Sequence, residues 1–134
     1  MLLPNGALVA VADGEKLNLF RNTGDEANLA LKAVPVGEVD TDNKSGGARH
    51  QSSSANPDAS QGEEDGFAAG IADLLNKRVL QNKADAVVVI AAPRTLGELR
   101  KNYHKQLQAA LIGEIAKDLT GHSLQDIEKA LQAA

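Results

Sequence analysis

The sequence has no cysteine, no tryptophan, and only two phenylalanines and one tyrosine among 134 residues, of which 43% are hydrophobic. The absence of cysteine excludes disulfides, a thiol nucleophile and a thiolate zinc site, and it fits a reducing compartment. A core built mainly from Ala, Val, Leu and Ile favours helices layered on a sheet over an aromatic-rich β-sandwich. At this length we expect one domain with a single core.

The sequence also lacks a basic leader and any apolar run near the roughly 20 residues that a membrane-spanning helix needs. Pro4, Asn5 and Gly6 interrupt the first apolar stretch, and Asp13 ends the second. We therefore expect no signal peptide, no membrane insertion and a cytoplasmic location.

The net charge of -4 is concentrated in one segment. Residues 40–66 contain two basic residues, Lys44 and Arg49, against six acids, which are Asp40, Asp42, Asp58, Glu63, Glu64 and Asp65. The rest of the chain is balanced, so nonspecific binding to DNA or RNA is not expected, although a small local patch could still dock on RNA.

The first part of the chain predicts three meandering strands. Residues 7–13 are a short apolar run, and Asp13-Gly14 after it predicts a tight hairpin with positive φ values. Residues 16–20 alternate as a second strand does. Residues 29–39 alternate less cleanly, and Pro35 within them indicates an edge strand with a bend or bulge.

A polar segment separates these strands from a predicted helix. Residues 40–62 contain almost no large apolar side chain, which indicates a flexible loop that is either functional or merely disordered. Ser60 and Glu63 have the spacing of a capping box, and apolar residues follow at helical spacing, so a helix is predicted over about 63–82.

The second half predicts a buried strand between helices. Residues 86–92 are apolar without alternation, which is typical of a parallel strand covered on both faces. Thr95 and Glu98 predict a capping box for a helix that continues through Leu107. Residues 110–120 fit a helix or a strand, and their position after a strand-helix unit favours the strand. Ser123 is the expected cap of a last helix.

This order predicts an α/β fold in which about five strands form a mixed sheet with three helices, connected as in ribonuclease H-like proteins. A right-handed crossover would place the buried strand beside the first strand. Such a fold does not determine a function by itself.

Metal and cofactor sites are weakly supported. Asp13 follows the first strand and Asp85 precedes the buried one, so these carboxylates are expected at opposite ends of parallel strands. The three histidines have no metal-binding spacing, and His104 and His122 are expected to be exposed. We expect no metal and no cofactor.

Two groups of residues remain as candidate sites. Gly46 and Gly47 would let the backbone enter a narrow site, Arg49 could meet a phosphate, and His50 or Gln51 could orient a water; a flexible loop tip is the alternative. Arg94 and Thr95 follow the buried strand at a helix start, where an anion is favoured; the explanation we favour is that Thr95 caps the helix and Arg94 forms a salt bridge.

Five segments together resemble the bacterial host attachment proteins: AVADGEKLNLF, GGARH, the helix with FAAGIADLLN, VVVIAAPRTLGELR and EIAKDLTGH. The similarity covers nearly the whole chain, and the APRTLGELR and KDLTGH stretches are its most specific parts. That family is described as required for attachment of bacteria to host cells, and it is similar to the middle domain of archaeal and eukaryotic peptide-chain release factors. In that domain a Gly-Gly-Gln loop enters the ribosome and promotes hydrolysis of the peptidyl-tRNA ester.

The resemblance implies that Gly46 and Gly47 match the glycine pair of that loop, with Ala48 in the place of the glutamine and Gln51 nearby. The resemblance implies a host attachment protein, which we expect to be a non-enzymatic or regulatory interaction module. Because the sequence shows no export signal, we expect it to act in the cytoplasm and to support attachment indirectly. The alternative is a ribosome-associated release or rescue factor with peptidyl-tRNA hydrolase activity, whose partner would be the ribosome or tRNA. The oligomeric state stays open.

Overall fold

The computed structural model describes residues 1–36 and 59–134, and it describes side chains in the second range from residue 66 onward. The strands are β1 (Leu8–Ala12), β2 (Leu17–Asn22), β3 (Leu31–Val34), β4 (Val87–Ala91) and β5 (Leu111–Ala116). The helices are α1 (Ala59–Leu80), α2 (Pro93–Arg100), α3 (Lys105–Ala110) and α4 (Leu124–Ala133).

The strands form one mixed sheet in the order β3-β2-β1-β4-β5. β1, β2 and β3 are an antiparallel meander, while β4 is parallel to both β1 and β5. The predicted ribonuclease H-like connectivity is therefore confirmed, including the pairing of the buried strand with the first strand. β1 and β4 read as continuous apolar runs because all their residues are buried, with a helical layer on each face of the sheet.

The sheet separates two hydrophobic cores. The first core lies between the sheet and the α1–α3 layer, where Ile71 and Leu75 of α1 meet Leu99 of α2. The second core lies on the opposite face, where Ile127 and Leu131 of α4 pack on alternate residues of β1 and β4. One face of α4 is thus apolar and inward, as the sequence spacing predicts.

The hairpin between β1 and β2 is confirmed, but the prediction of its turn is wrong. Among the described residues, Gly6 is the only glycine with a positive φ. Gly14 therefore lacks the backbone conformation that the predicted turn requires. The loop instead spans residues 13–16 and is closed by Asp13, whose Oδ1 accepts from the amides of Glu15 (2.7 Å) and Lys16 (2.6 Å). A side-chain acceptor therefore replaces the left-handed backbone that a two-residue turn requires.

Two boundaries differ from the prediction around the polar segment. β3 is an edge strand, as expected, but it ends at Val34, so Pro35 follows the strand instead of bending it. Helix α1 begins at Ala59, and Ser60 lies within it rather than at its cap. Once a helix has formed, each residue added at its end gains one hydrogen bond. Helix α1 can therefore begin within residues whose composition predicts a loop.

The predicted helix after β4 is two helices, so the described residues hold four helices instead of three. The Thr95 capping box is wrong: the helix starts at Pro93, Ala92 is its N-cap, and no side chain caps it. Proline suits the first helical position because it has no amide to satisfy and its φ is already helical. Asn76 of α1 separates α2 from α3, because its side chain donates to Asn102 O (3.0 Å) and accepts from His104 N (2.8 Å).

The remaining elements agree with the sequence. Residues 111–116 form the favoured strand β5, with a register shift against β4 between Val87 and Val88. Ser123 caps α4, since its hydroxyl accepts from Asp126 N at 3.2 Å. No helix in the described part of the chain is long and apolar enough to cross a membrane.

Candidate functional site

The glycine pair and its neighbours fall outside the described residues. Gly46, Gly47, Arg49, His50 and Gln51 all lie in residues 37–58, so their roles stay predictions. The structure does show the elements that bound this segment, which are the edge strand β3 before it and helix α1 after it.

Arg78 holds the beginning of that segment against the body of the domain. Its Nη2 atom donates to Pro35 O (3.1 Å) and more weakly to Val36 O (3.5 Å). The side chain of Val36 packs against the first core. The chain between β3 and the undescribed segment is therefore tied to α1 by both polar and apolar contacts.

Asp13 lies at the carboxyl end of β1 and is the best-connected carboxylate of that edge. Burial opposes its ionisation, but hydrogen bonds from the Glu15 and Lys16 amides and from Thr120, together with the charge of Lys16, outweigh burial and lower the pKa of Asp13. Asp13 is therefore held as a carboxylate that already has three hydrogen-bond donors.

The segment after β5 folds back over the end of the neighbouring strand. Thr120 Oγ1 lies 2.9 Å from Asp13 Oδ2 and 2.7 Å from Asp118 Oδ1. Because β4 lies between β1 and β5, this contact spans the carboxyl end of β4. A hydroxyl has one proton, so Thr120 donates to one of the two carboxylates at a time. Leu119 anchors the segment in the second core.

Arg94 and Thr95 occupy the first turn of α2, directly after β4. Arg94 is exposed, Thr95 is half-buried, and the helix has no side-chain cap. Both residues therefore lie near the end of the sheet where α/β proteins bind ligands. Their role as an anion site is not tested by the described contacts and stays a prediction.

Among the side chains of residues 1–36 and 66–134, no three His, Cys, Asp or Glu cluster as metal ligands would. Asp13 and Asp85 lie at opposite ends of parallel strands, as predicted. His104 and His122 are exposed, and His104 caps α3 by accepting from Gln106 N at 3.1 Å. His122 lies 3.6 Å from Asp126 at the start of α4.

Sequence reasoning missed a polar cluster that joins β5 to α2. Arg100 binds Glu114 through two nitrogens, with contacts of 2.9 and 3.2 Å to Oε1. Tyr103 donates to Glu114 Oε2 at 3.4 Å, and its pKa is raised above its usual value by burial first and by the charge of Glu114 second. Because these residues are distant in sequence, no local sequence pattern predicts their contact.

Asn22 was also missed, because the sequence suggests only a turn former. It is the one buried polar residue of the described part of the chain. Its amide nitrogen donates to Leu3 O (2.9 Å), and its oxygen accepts from Gly24 N (3.0 Å) and Ala30 N (3.1 Å). Asn22 thus holds together the N-terminal segment and the β2–β3 connection.

Residues 6–131 match the model of a family described as Bacterial archaeo-eukaryotic release factor family 12. The match includes every strand, most of α4 and the undescribed segment between β3 and α1. It supports the release-factor part of the sequence resemblance and does not support the host attachment name. A comparison with curated proteins gives no match.

Proposed function

We propose that this chain, which belongs to the bacterial archaeo-eukaryotic release factor family 12, is a release-factor-like protein that binds ribosomes or tRNA and promotes hydrolysis of the peptidyl-tRNA ester. The observation that carries the proposal is the family match, which spans nearly the whole chain and includes the Gly46-Gly47 pair. The order of elements agrees with it, because the glycine pair falls between an edge strand and a long helix.

The chemistry is assigned to residues of the undescribed segment. Gly46 and Gly47 allow a close backbone approach to the ester, since glycine adopts conformations that other residues rarely do. Arg49 binds a phosphate of the tRNA end by charge-assisted hydrogen bonds. Ala48 has no polar group, so orientation of the attacking water falls to His50 or Gln51.

The reaction itself needs no cofactor. The water oxygen bonds to the ester carbonyl carbon, the bond from that carbon to the ribose oxygen breaks, and the ribose oxygen takes up a proton. Positioning a water at the carbonyl lowers the barrier, because proximity replaces a second bimolecular encounter.

Ribosome co-sedimentation across a salt series tests the proposal. The wild-type protein is compared with a Gly46→Val, Gly47→Val variant and with a Ser53→Val, Ser54→Val control, which adds the same side chains elsewhere in the segment. We expect the wild type and the control to co-sediment with ribosomes. The glycine variant should bind ribosomes less well or, if it still binds, should release peptide more slowly.

Release of labelled peptide from peptidyl-tRNA on isolated ribosomes separates binding from catalysis. A glycine variant that binds normally but releases peptide at least about tenfold more slowly would assign the pair to the chemical step. Absence of ribosome binding by the wild type at low salt would refute the proposal, and equal losses in the serine control would remove the glycine pair from it.

A role in attachment to host cells stays a prediction of the sequence resemblance alone. It would be indirect, because the proposed chemistry acts on translation. Deleting the gene and restoring either the wild type or the Gly46→Val, Gly47→Val variant tests the link. If the variant restores attachment fully, attachment does not depend on the proposed release activity.

A further inference from the structure

Four basic residues lie on the first-core side of the domain, on β2, on β3 and near the end of α1. Arg21 and Lys32 are direct partners in the β2–β3 ladder, so their side chains share a face. The next pair on the same face, Leu19 and Val34, packs in the first core, which identifies that face. Neighbouring cations therefore project from adjacent strands.

The end of α1 adds two more cations on that side. Arg21 Nη2 donates to Lys83 O (3.0 Å), and Lys83 N donates to Arg78 O (2.9 Å). Arg78 in turn reaches the chain after β3 through Pro35 O. Strand pairing thus links Lys32 to Arg21, and hydrogen bonds to the backbone link Arg21 to Lys83 and Lys83 to Arg78. We call these four residues the basic corner.

Among the described side chains, no carboxylate forms an ion pair with a residue of the basic corner. The described ion pairs use other residues, such as Lys77 with Asp73 at 3.0 Å. The guanidinium groups of Arg21 and Arg78 are held by backbone carbonyls instead, which orient them without cancelling their charge.

Asp85 is the acid nearest in sequence to the basic corner, two positions after Lys83, and it is exposed without an ion pair to another described residue. The acids of the β2–β3 connection, Asp25 and Glu26, likewise form no described ion pair with Arg21 or Lys32.

We propose that the basic corner binds successive phosphates of an RNA strand. The choice of RNA rests on the proposed function, and the surface itself rests on the contacts above. Carbonyl-held arginines beside exposed lysines suit a phosphate backbone, because phosphate contacts position a protein without reading bases. Outside residues 40–66 the charge of the chain is balanced overall. The basic corner is therefore a local excess of positive charge that the composition does not reveal.

Binding of a fluorescent single-stranded RNA across a salt series tests the proposal. The test variant is Lys32→Gln, Lys83→Gln, because both side chains are exposed and neither makes a described hydrogen bond or ion pair. The control is Lys105→Gln, Lys129→Gln, which removes the same charge from exposed positions on α3 and α4. Circular dichroism confirms that both variants are folded.

We expect the test variant to lower the slope of log affinity against log salt by about 1.4, because two phosphates of a single strand, each worth about 0.7, are no longer neutralised by a lysine. If affinity at about 1 M salt is unchanged, this amounts to roughly 25-fold weaker binding at about 0.1 M salt. The control should bind like the wild type. Equal losses in the control, or no RNA binding by the wild type at low salt, would overturn the proposal.

Ribosome assays separate this proposal from the proposed function. If the test variant keeps wild-type ribosome binding and peptide release while the glycine variant loses them, the basic corner is refuted and the function stands. If the wild type binds RNA through the basic corner but releases no peptide, the function fails and the surface stands.

Discussion

Asp13 and Thr120 are 107 positions apart in the chain, yet the Thr120 hydroxyl lies 2.9 Å from the Asp13 carboxylate. Their contact joins the β1–β2 hairpin to the segment after β5 and spans the carboxyl end of β4. Thr120 belongs to the KDLTGH stretch, which is among the most specific parts of the sequence resemblance. Part of that stretch therefore closes one end of the sheet.

Replacing Thr120 with valine should raise the pKa of Asp13, because one of its hydrogen-bond donors is lost while burial, which opposes ionisation, remains. We also expect a loss of about 1 kcal/mol in the free energy of unfolding at neutral pH, the usual value of one hydrogen bond. Carboxyl-detected NMR titration of Asp13 measures the first effect, and urea unfolding measures the second.

The pH dependence follows from the sign of that shift. A carboxylate with a lowered pKa stabilises the fold above its ordinary value of 3.8, and this contribution is lost as pH falls through the lowered pKa. Thr120→Val should therefore weaken the loss of stability on acidification, whereas Thr120→Ser, which keeps the hydroxyl, should behave like the wild type. An unchanged Asp13 pKa in the valine variant would contradict the assigned contact.

Tyr103 is the one tyrosine of the chain, so its ionisation can be followed directly by absorbance. Burial and the Glu114 carboxylate raise its pKa, and we expect no tyrosinate signal where a free tyrosine is half-ionised, near its ordinary value of 10.0. Because the folded pKa is raised, this group contributes stability at lower pH that is lost as pH rises through the folded pKa.

Glu114→Gln separates the two causes of the Tyr103 shift. The pKa of Tyr103 should fall relative to the wild type but stay above its ordinary value, because burial is the larger cause. Glu98→Gln is the control, since Glu98 pairs with Lys101 at 2.8 Å and has no described contact with Tyr103. Spectrophotometric titration that shows equal shifts in both variants would refute the role of Glu114.

Asn22→Ala should destabilise the domain by about 3 kcal/mol, because it removes the buried hydrogen bond to Leu3 O and two part-buried hydrogen bonds from Gly24 N and Ala30 N. Asn28→Ala is the matched control, since Asn28 is exposed and only its backbone is used in the described hydrogen bonds. Its effect should stay within about 0.5 kcal/mol. Urea unfolding of both variants measures the difference in the free energy of unfolding. Similar losses in the two variants would show that the hydrogen bonds of the Asn22 side chain do not stabilise the domain.

Two glycine substitutions should have opposite signs. Gly97→Ala, inside α2, places its new Cβ in open space and should stabilise the domain by about 0.5 to 1 kcal/mol, because alanine loses less backbone entropy in a helix. Gly24→Ala would place its Cβ 1.9 Å from Asn28 O, so it should destabilise by roughly 2 kcal/mol. Thermal unfolding that shows both variants stabilised, or both destabilised, would contradict the packing described.

Much of the fold could be predicted because its signals are local. The uninterrupted apolar run of β4 predicts a buried parallel strand, since side chains on both faces must be apolar when helices cover both. The Ser123 cap was also predictable, because its acceptor and the Asp126 amide are three residues apart. Chain order and the right-handed crossover then predicted β1 as a neighbour of β4.

The tertiary structure alone decided the contacts between residues distant in sequence. Asn76 interrupts the helix predicted through Leu107, and neither the break nor its cause leaves a periodic signal. The Arg100–Glu114 pair and the basic corner likewise depend on which strands and helices become neighbours. Periodicity reports which face of an element is buried, whereas polar contacts across elements depend on register and on the paths of the connections. The sequence therefore determined the elements and their order, and folding decided which charges and hydrogen-bonding groups meet.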